Sequence, residues 1–346
     1  KASERERTAI ARGGTKRSEQ AVELALAWLA EHQRPNGSWS LLHSQGACNG
    51  RCGNEGSKDR LDTAATGLSL LAFLGAGYTH REGAYRETVR KGIYFLLQVM
   101  EETPQGGSFL YQSDRGMYNH GIATFALCEA YQLTGDRDLL KVAQQAIDFV
   151  VAAQNYRGGW GYLPEKPGDL TISGWQLMAL KSAFAARLEI PEVTILRVDS
   201  FLDSQQHASR VFYGYGKPGE NPTCTAIGQM MRIFRGRSLS DPTVLDAGGF
   251  FSQRGHSSTD AYYNYYASLF LFHLGDPFWQ SWNPPMREFL IQSQSTQGHE
   301  KGSWYFDNAY GREGGRLYTT AMCAMTLEVY YRFSPLYQQT DVSFEL

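Results

Sequence analysis

The side chains in this sequence able to ligate metal or move protons fall in two places. The first is a long Gly-rich loop that carries His43, Cys48 and Cys52. Cys-x3-Cys lies within the spacing that zinc sites use, with His43 available as a third ligand and Asp59 or Asp62 as a fourth. The same two cysteines could form a local disulfide, modest in effect because its ring is small, or remain free thiols. All three readings stay open at this point. Cys128, Cys224 and Cys323 lie in apolar helical segments, where a thiol behaves as a small hydrophobe.

The second place is a series of segment starts, each opening a strongly apolar helix. Asp62, Asn119, His120, Asp260, Tyr262, Tyr263, Arg316 and Tyr318 stand there, with Trp175 and Tyr266 about a turn further in. If those starts converge, they line a funnel with a polar rim and aromatic walls, a natural binding cavity. Asp260 with His120 would be the acid and its partner, provided they share a wall. Asp260 also reads as a helix cap after Ser257-Ser258-Thr259. The tyrosines of the 262–266 cluster could stabilise a cation through their ring faces, or simply pack.

What must position these residues is a repeat. Gln33-Arg34-Pro35-Asn36-Gly37-Ser38-Trp39 and Gln154-Asn155-Tyr156-Arg157-Gly158-Gly159-Trp160 carry Gln, Gly and Trp at the same offsets, and Gln297 to Gly302-Ser303-Trp304 is a copy with one extra residue. Gln206 to Phe212 keeps the aromatic without the glycine. Each copy joins a helix with one apolar stripe to a helix apolar nearly all round, the signature of a helical-hairpin repeat. Amphipathic segments are predicted over 17–33, 84–101, 136–154, 191–206, 241–253 and 279–294. Their buried partners are predicted over 61–77, 117–134, 171–188, 222–235, 260–274 and 316–333. Six hairpins of this kind predict an all-α, α6/α6 toroid, in which an outer ring covers an inner one. The last hairpin is as apolar as the middle ones, which favours closure over an open solenoid.

Residues 17–337 are therefore read as one domain, 1–16 as a solvated basic arm, and 338–346 as a tail. The chain has 346 residues, 42% of them hydrophobic, and a net charge of −2, so it can bury a large core and shows no electrostatic sign of a nucleic-acid partner. No apolar run is long enough to span a membrane. A soluble domain is expected, and a start at Lys1 without methionine leaves room for a longer exported or membrane-anchored parent.

The Gln-x3-Gly-x-Trp copies resemble the QW motifs of squalene-hopene and oxidosqualene cyclases, and the hairpin pattern is similar to protein prenyltransferase β subunits. Gly75-Ala76-Gly77-Tyr78-Thr79-His80, Met117-Tyr118-Asn119-His120-Gly121-Ile122-Ala123-Thr124, Gly174-Trp175-Gln176-Leu177-Met178-Ala179-Leu180-Lys181 and Gly314-Gly315-Arg316-Leu317-Tyr318 resemble bacterial squalene-cyclase-like proteins with prenyltransferase and squalene-oxidase repeats. The resemblance covers most of residues 20 to 337 and implies the toroid. It does not carry the catalytic motifs over. The cyclase Asp-x-Asp-Asp is absent, and Asp136-Arg137-Asp138 reads as a helix start. The Asp-Asp-x-x-Asp of ionising synthases is absent too. The prenyltransferase zinc set is incomplete, since Asp260 and His273 have no cysteine between them and stand more than three turns apart. Squalene-type cyclases also use a second α/α domain that this length does not hold.

The expectation is a funnel that binds an apolar, isoprenoid-like ligand or a peptide, with zinc as a candidate cofactor at the His43/Cys48/Cys52 loop. Two alternatives stand beside it: an isoprenoid cyclase or transferase working through Asp260 or His120, and a carbohydrate-active α6/α6 enzyme using paired carboxylates.

Overall fold

The computed structural model describes residues 2–57 and 60–332. Asp59, a candidate fourth ligand, and the expected tail 338–346 lie outside the described residues. After a short helix α1 (Ala2–Ala11), outer and inner helices alternate: α2 (Lys16–Glu31), α3 (Asp62–Gly75), α4 (Arg86–Val99), α5 (Gly116–Thr134), α6 (Arg137–Ala152), α7 (Leu170–Ala185), α8 (Glu192–Gln205), α9 (Pro222–Phe234), α10 (Pro242–Arg254), α11 (Ala261–Leu274), α12 (Phe278–Ser293) and α13 (Ala309–Leu327), followed by α14 (Val329–Arg332). A small hairpin of β1 (Glu101–Thr103) and β2 (Gly106–Ser108) sits in the second loop.

The chemistry of each helix decides its ring. α7 buries almost every side chain from Leu170 to Ala183, whereas α4 buries only Val89, Gly92, Ile93, Phe95 and Leu96. The odd-numbered helices α3 to α13 pack each on the next, and α13 packs back on α3. The result is a closed α/α toroid. Asp169, Asn221, Asp260 and Asn308 cap inner helices with side-chain acceptors, each cap contributing about 1 kcal/mol. α13 starts earlier than the pattern predicts and breaks at Gly315, whose φ of 67° belongs to the left-handed region.

The Gln–Trp repeat is a set of staples. Trp39, Trp160 and Trp304 each donate the indole N–H to a carbonyl of the preceding outer helix, that of Leu29, Val150 and Leu290, at 2.7–2.8 Å. Gln33 and Gln154 each donate to the loop glycine carbonyl and to the next outer helix, at Thr88 and Thr194. In the last copy the glutamine is Gln294, not Gln297: Gln294 donates to Gly302 and to Ala21 of α2, while Gln297 is exposed. Spacing misled here because the loop is longer, and burial selects Gln294. Gly37, Gly158 and Gly302 all have φ near 90°, and a Cβ there would meet a backbone oxygen of the neighbouring outer helix at 1.9–2.3 Å.

A second repeat was hidden from the spacing. One residue in the first turns of each inner helix accepts an N–H from the loop before it. The six are Thr66, His120, Ser173, Thr225, Asn264 and Thr320, receiving Trp39, Phe109, Trp160, Tyr213, Ser257 and Trp304 at 2.8–3.3 Å. Tyr213, rather than Phe212, therefore holds the aromatic position of the fourth loop.

The ends of the ring differ. At the C-terminal ends of the inner helices α14 forms a plug: Arg332, about 1% exposed, reaches Glu129 of α5 at 2.7 Å, Glu328 at 3.3 Å and the Leu71 carbonyl of α3. α1 docks on α2 and α14. The arm expected over 1–16 is thus a helix over Ala2–Ala11, because its basic groups find carboxylates: Arg5 lies 2.9 Å from Glu19 and also pairs with Glu23. Among the described residues no helix is long and apolar enough to cross a membrane.

Candidate ligand funnel and a cysteine–histidine cluster

At the N-terminal ends of the inner helices the toroid opens into a cavity of about 870 Å³, counting the space at its mouth. Ala64 and Leu68 of α3, Tyr118 and Ile122 of α5, Trp175 of α7, Tyr262 of α11 and Tyr318 of α13 form the walls. Leu41, Leu61, Tyr162, Tyr215 and Tyr310 surround the entrance. Beneath Trp175 lie Tyr265, stacked at 6.3 Å between ring centres, and Tyr266, edge-on at 6.1 Å. With α14 closing the other end, the cavity is a blind funnel.

The polar groups of the funnel are mostly engaged with one another. Tyr118 Oη and Thr171 Oγ1 are 2.8 Å apart, Thr171 Oγ1 donates to Asp169 Oδ1, and Tyr262 Oη donates to the Thr171 carbonyl. Tyr162 and Tyr215 share a hydroxyl contact of 2.9 Å at the entrance. The two charged lining residues among those described, Arg115 and Glu313, form an ion pair at 2.8 Å. Burial pushes the Tyr118, Tyr262 and Tyr318 phenols well above their usual range, so they act as neutral hydrogen-bonding groups. The Tyr318 hydroxyl is buried without a hydrogen-bond partner.

Of the residues expected in the funnel, Trp175, Tyr262 and Tyr318 line it and Tyr266 lies one layer below. The others do not reach it. Asp62 pairs with Arg34 at 2.9 Å. Asn119 is fully buried, accepting from Ala64 N–H and donating to the Arg60 and Leu110 carbonyls. Tyr263 faces outward, donating to the Gly255 carbonyl beside Trp282. Arg316 turns into the first loop, where it meets the Gly53 carbonyl, Asn54 and Glu300. Tyr118, Tyr162, Tyr215 and Tyr310 were missed, since three of the four sit in loops or at a helix start ahead of the apolar periodicity.

The structure does not bring Asp260 and His120 together. α5 and α11 stand opposite one another in the ring. His120 Nδ1 accepts from Phe109 N–H, and Nε2 donates to the Ala146 carbonyl on α6 at 3.1 Å. Burial lowers its pKa to about 3, so the ring is a neutral structural bridge. Asp260 caps α11 by accepting Tyr263 N–H, with its carboxyl raised by burial. Neither residue lines the cavity.

Beside the mouth the first and last loops meet in a cluster of four ligand-type side chains. His32, Cys48, Cys52 and His299 present ligand atoms all within 4.8 Å of one another. Cys52 Sγ is 3.0 Å from His299 Nδ1 and 3.4 Å from His32 Nε2, and Cys48 Sγ is 3.8 Å from His299 Nδ1. The cysteines are not bonded to each other. His43, expected as a ligand, instead packs edge-on against Trp28 and His32, 5.7 and 5.8 Å between ring centres, and stands outside the four. His32 and His299 were missed because they are 267 positions apart, yet one stands just before the first Gln–Trp loop and the other within the last, and ring closure brings the two loops together.

The sequence matches no protein-family model and no curated protein. Solved structures do resemble the fold. The type II terpene cyclase MstE from Scytonema superposes with a TM-score of 0.60 at 15% identity, covering 92% of this chain and 99% of that one. An inactive variant of an α-1,6-mannanase from Salegentibacter sp., with two consecutive aspartates replaced and α-1,6-mannotriose bound, gives 0.60 at 9% identity, covering 90% and 98%. Cellobiose 2-epimerase from Bacillus thermoamylovorans gives 0.54 at 14% identity, covering 77% and 87%. At these identities the likeness concerns architecture, and the chain shares the α/α toroid with enzymes of terpenoid and of carbohydrate chemistry.

Proposed function

We propose that the toroid holds an apolar, isoprenoid-like molecule in its blind funnel, body down among the aromatic rings and any polar head at the mouth. One observation carries this reading: the walls are aliphatic and aromatic, and the lining charges, Arg115 and Glu313, neutralise one another. Desolvating an apolar ligand against Trp175, Tyr262 and Tyr318 is then the main favourable term, at about 25 cal/mol per Å². The unpartnered Tyr318 hydroxyl offers a donor for a ligand oxygen. MstE, bound in related structures to geranylgeranyl dihydroxybenzoate, shows that the architecture accommodates such a molecule in another protein.

The carbohydrate reading draws on the mannanase and epimerase likenesses and on the tyrosine-rich entrance. Glycoside hydrolysis normally uses two carboxyl groups about 5–10 Å apart. Among the described residues Glu313 is the one carboxylate lining this cavity, and it is paired with Arg115. No two aspartates are consecutive in the sequence. Ligand binding without turnover is accordingly the reading put forward, with Asp260 and His120 in structural roles.

Tryptophan fluorescence provides the test, because Trp175 is in the wall. Farnesol and squalene are expected to change the emission saturably, and mannotriose is not. Saturable binding of mannotriose with no response to either isoprenoid would reverse the assignment.

A further inference from the structure

We infer that His32, Cys48, Cys52 and His299 bind one zinc ion that clasps the first hairpin of the toroid to the last. The inference is independent of what occupies the funnel.

The donor set is two sulfurs and two imidazole nitrogens, the composition of a closed tetrahedral structural zinc site. With Zn–S near 2.3 Å and Zn–N near 2.0 Å, a sulfur and a nitrogen on one tetrahedral zinc stand roughly 3.5 Å apart. The measured separations of 3.0, 3.4 and 3.8 Å bracket that figure. The remaining ligand pairs lie within 4.8 Å, so the widest closes by about 1 Å to receive the ion.

The surroundings orient the ligands. His32 Nδ1 is 2.6 Å from the Trp28 carbonyl, which can only accept, so the proton sits on Nδ1 and the lone pair of Nε2 points at the cluster. Trp28 stacks on the same ring at 3.7 Å and fixes its plane. Cys52 N–H donates to Cys48 Sγ at 3.2 Å, which holds that sulfur in place. Zinc with two thiolates and two neutral imidazoles carries no net charge. The nearby Arg316 is already balanced by Glu300 at 2.9 Å, so the buried site needs no further counterion.

The topology explains what the ion does. The three ligands at positions 32, 48 and 52 belong to the segment between α2 and α3, and His299 belongs to the segment between α12 and α13. Helices that close a ring meet only once both ends of the chain are in place. A metal bond across this seam, about 250 residues apart in sequence, stabilises the closed state because the site does not exist in the unfolded chain. The clasped loop then runs to the funnel: Arg316 N–H donates to the Asn54 carbonyl and Ser57 N–H to the Glu313 carbonyl.

The full chain, purified without chelator, is expected to carry about one zinc per molecule by elemental analysis. X-ray absorption of that zinc should show two sulfur and two nitrogen neighbours. Cobalt chloride added to protein stripped with a chelator should give the intense visible bands of a tetrahedral thiolate site. Cys52→Ser and His299→Asn should each weaken zinc binding by more than the ~10–100-fold that outer partners contribute, and His43→Asn should leave it in place. A protein that holds no zinc and takes up neither zinc nor cobalt would overturn the proposal. So would a Cys48–Cys52 disulfide in peptide maps, or retention of zinc by His299→Asn with loss in His43→Asn. Because absorption is read on the unmodified protein, misfolding of a variant cannot obscure the answer.

Discussion

Arg115 Nη1 lies 2.8 Å from Glu313 Oε2 and Nη2 lies 3.3 Å from Oε1, so the residue capping the second inner helix grips one in the sixth across the funnel mouth. The guanidinium also stands over Tyr162 at 5.3 Å. Both partners are only partly buried, and the pair contributes about 0–1 kcal/mol to stability. Its larger effect is on the ligand. Arg115→Gln leaves a bare carboxylate facing an apolar guest, and farnesol affinity is expected to fall about tenfold, roughly 1.4 kcal/mol, with little change in the urea midpoint. Fluorescence titration beside urea unfolding separates the two effects. An unchanged affinity would place the ligand away from this pair.

The staples allow a comparison within one motif. Gln154→Leu and Gln294→Leu each remove two buried hydrogen bonds, and a loss of about 1–3 kcal/mol is expected in urea unfolding. Gln297→Leu changes an exposed side chain and should stay within about 0.5 kcal/mol. Equal losses at Gln294 and Gln297 would contradict the assigned register.

The plug confers a pH dependence. Burial raises the Glu328 carboxyl to about 8, partly opposed by Arg332, and Glu129 beside it is also raised. A carboxyl whose folded pKa exceeds its unfolded value of 4.5 keeps a proton that the unfolded chain gives up. Its contribution is therefore complete below about pH 4.5 and is lost as pH rises to about 8, a decline on the order of a few kcal/mol. Across that window the wild-type urea midpoint should fall relative to that of Glu328→Gln, a difference in which the buried histidines cancel. A wild-type midpoint that keeps level with the variant's, or rises against it, through the window would mean Glu328 is ionised in the native plug.

Much of the fold was legible because each part of the toroid repeats a local rule. One-sided and all-round apolar helices alternate, and Gly37 and Trp39 recur as Gly158 and Trp160. The departures came where a contact depends on closure. The charges of the first residues suggested solvent until α2 and α14 supplied partners for Arg5 and Arg12. His120 looked like a site residue because histidine so often is one. Its place as the second of six N–H acceptors, otherwise Thr, Ser or Asn, shows only when the loops are superposed on their helices. His32 and His299 could not be joined to Cys48 and Cys52 by spacing, because the seam that unites them is a property of the ring.

Filling the funnel tests the central claim most directly. Ala64 is in the wall, and Ala64→Phe places a ring in the space assigned to the ligand. Calorimetric titration of farnesol into wild type and Ala64→Phe, with circular dichroism confirming equal helix content, should give saturable binding to the first and none to the second. Equal binding to both would contradict the account, because the apolar guest would then lie outside the funnel.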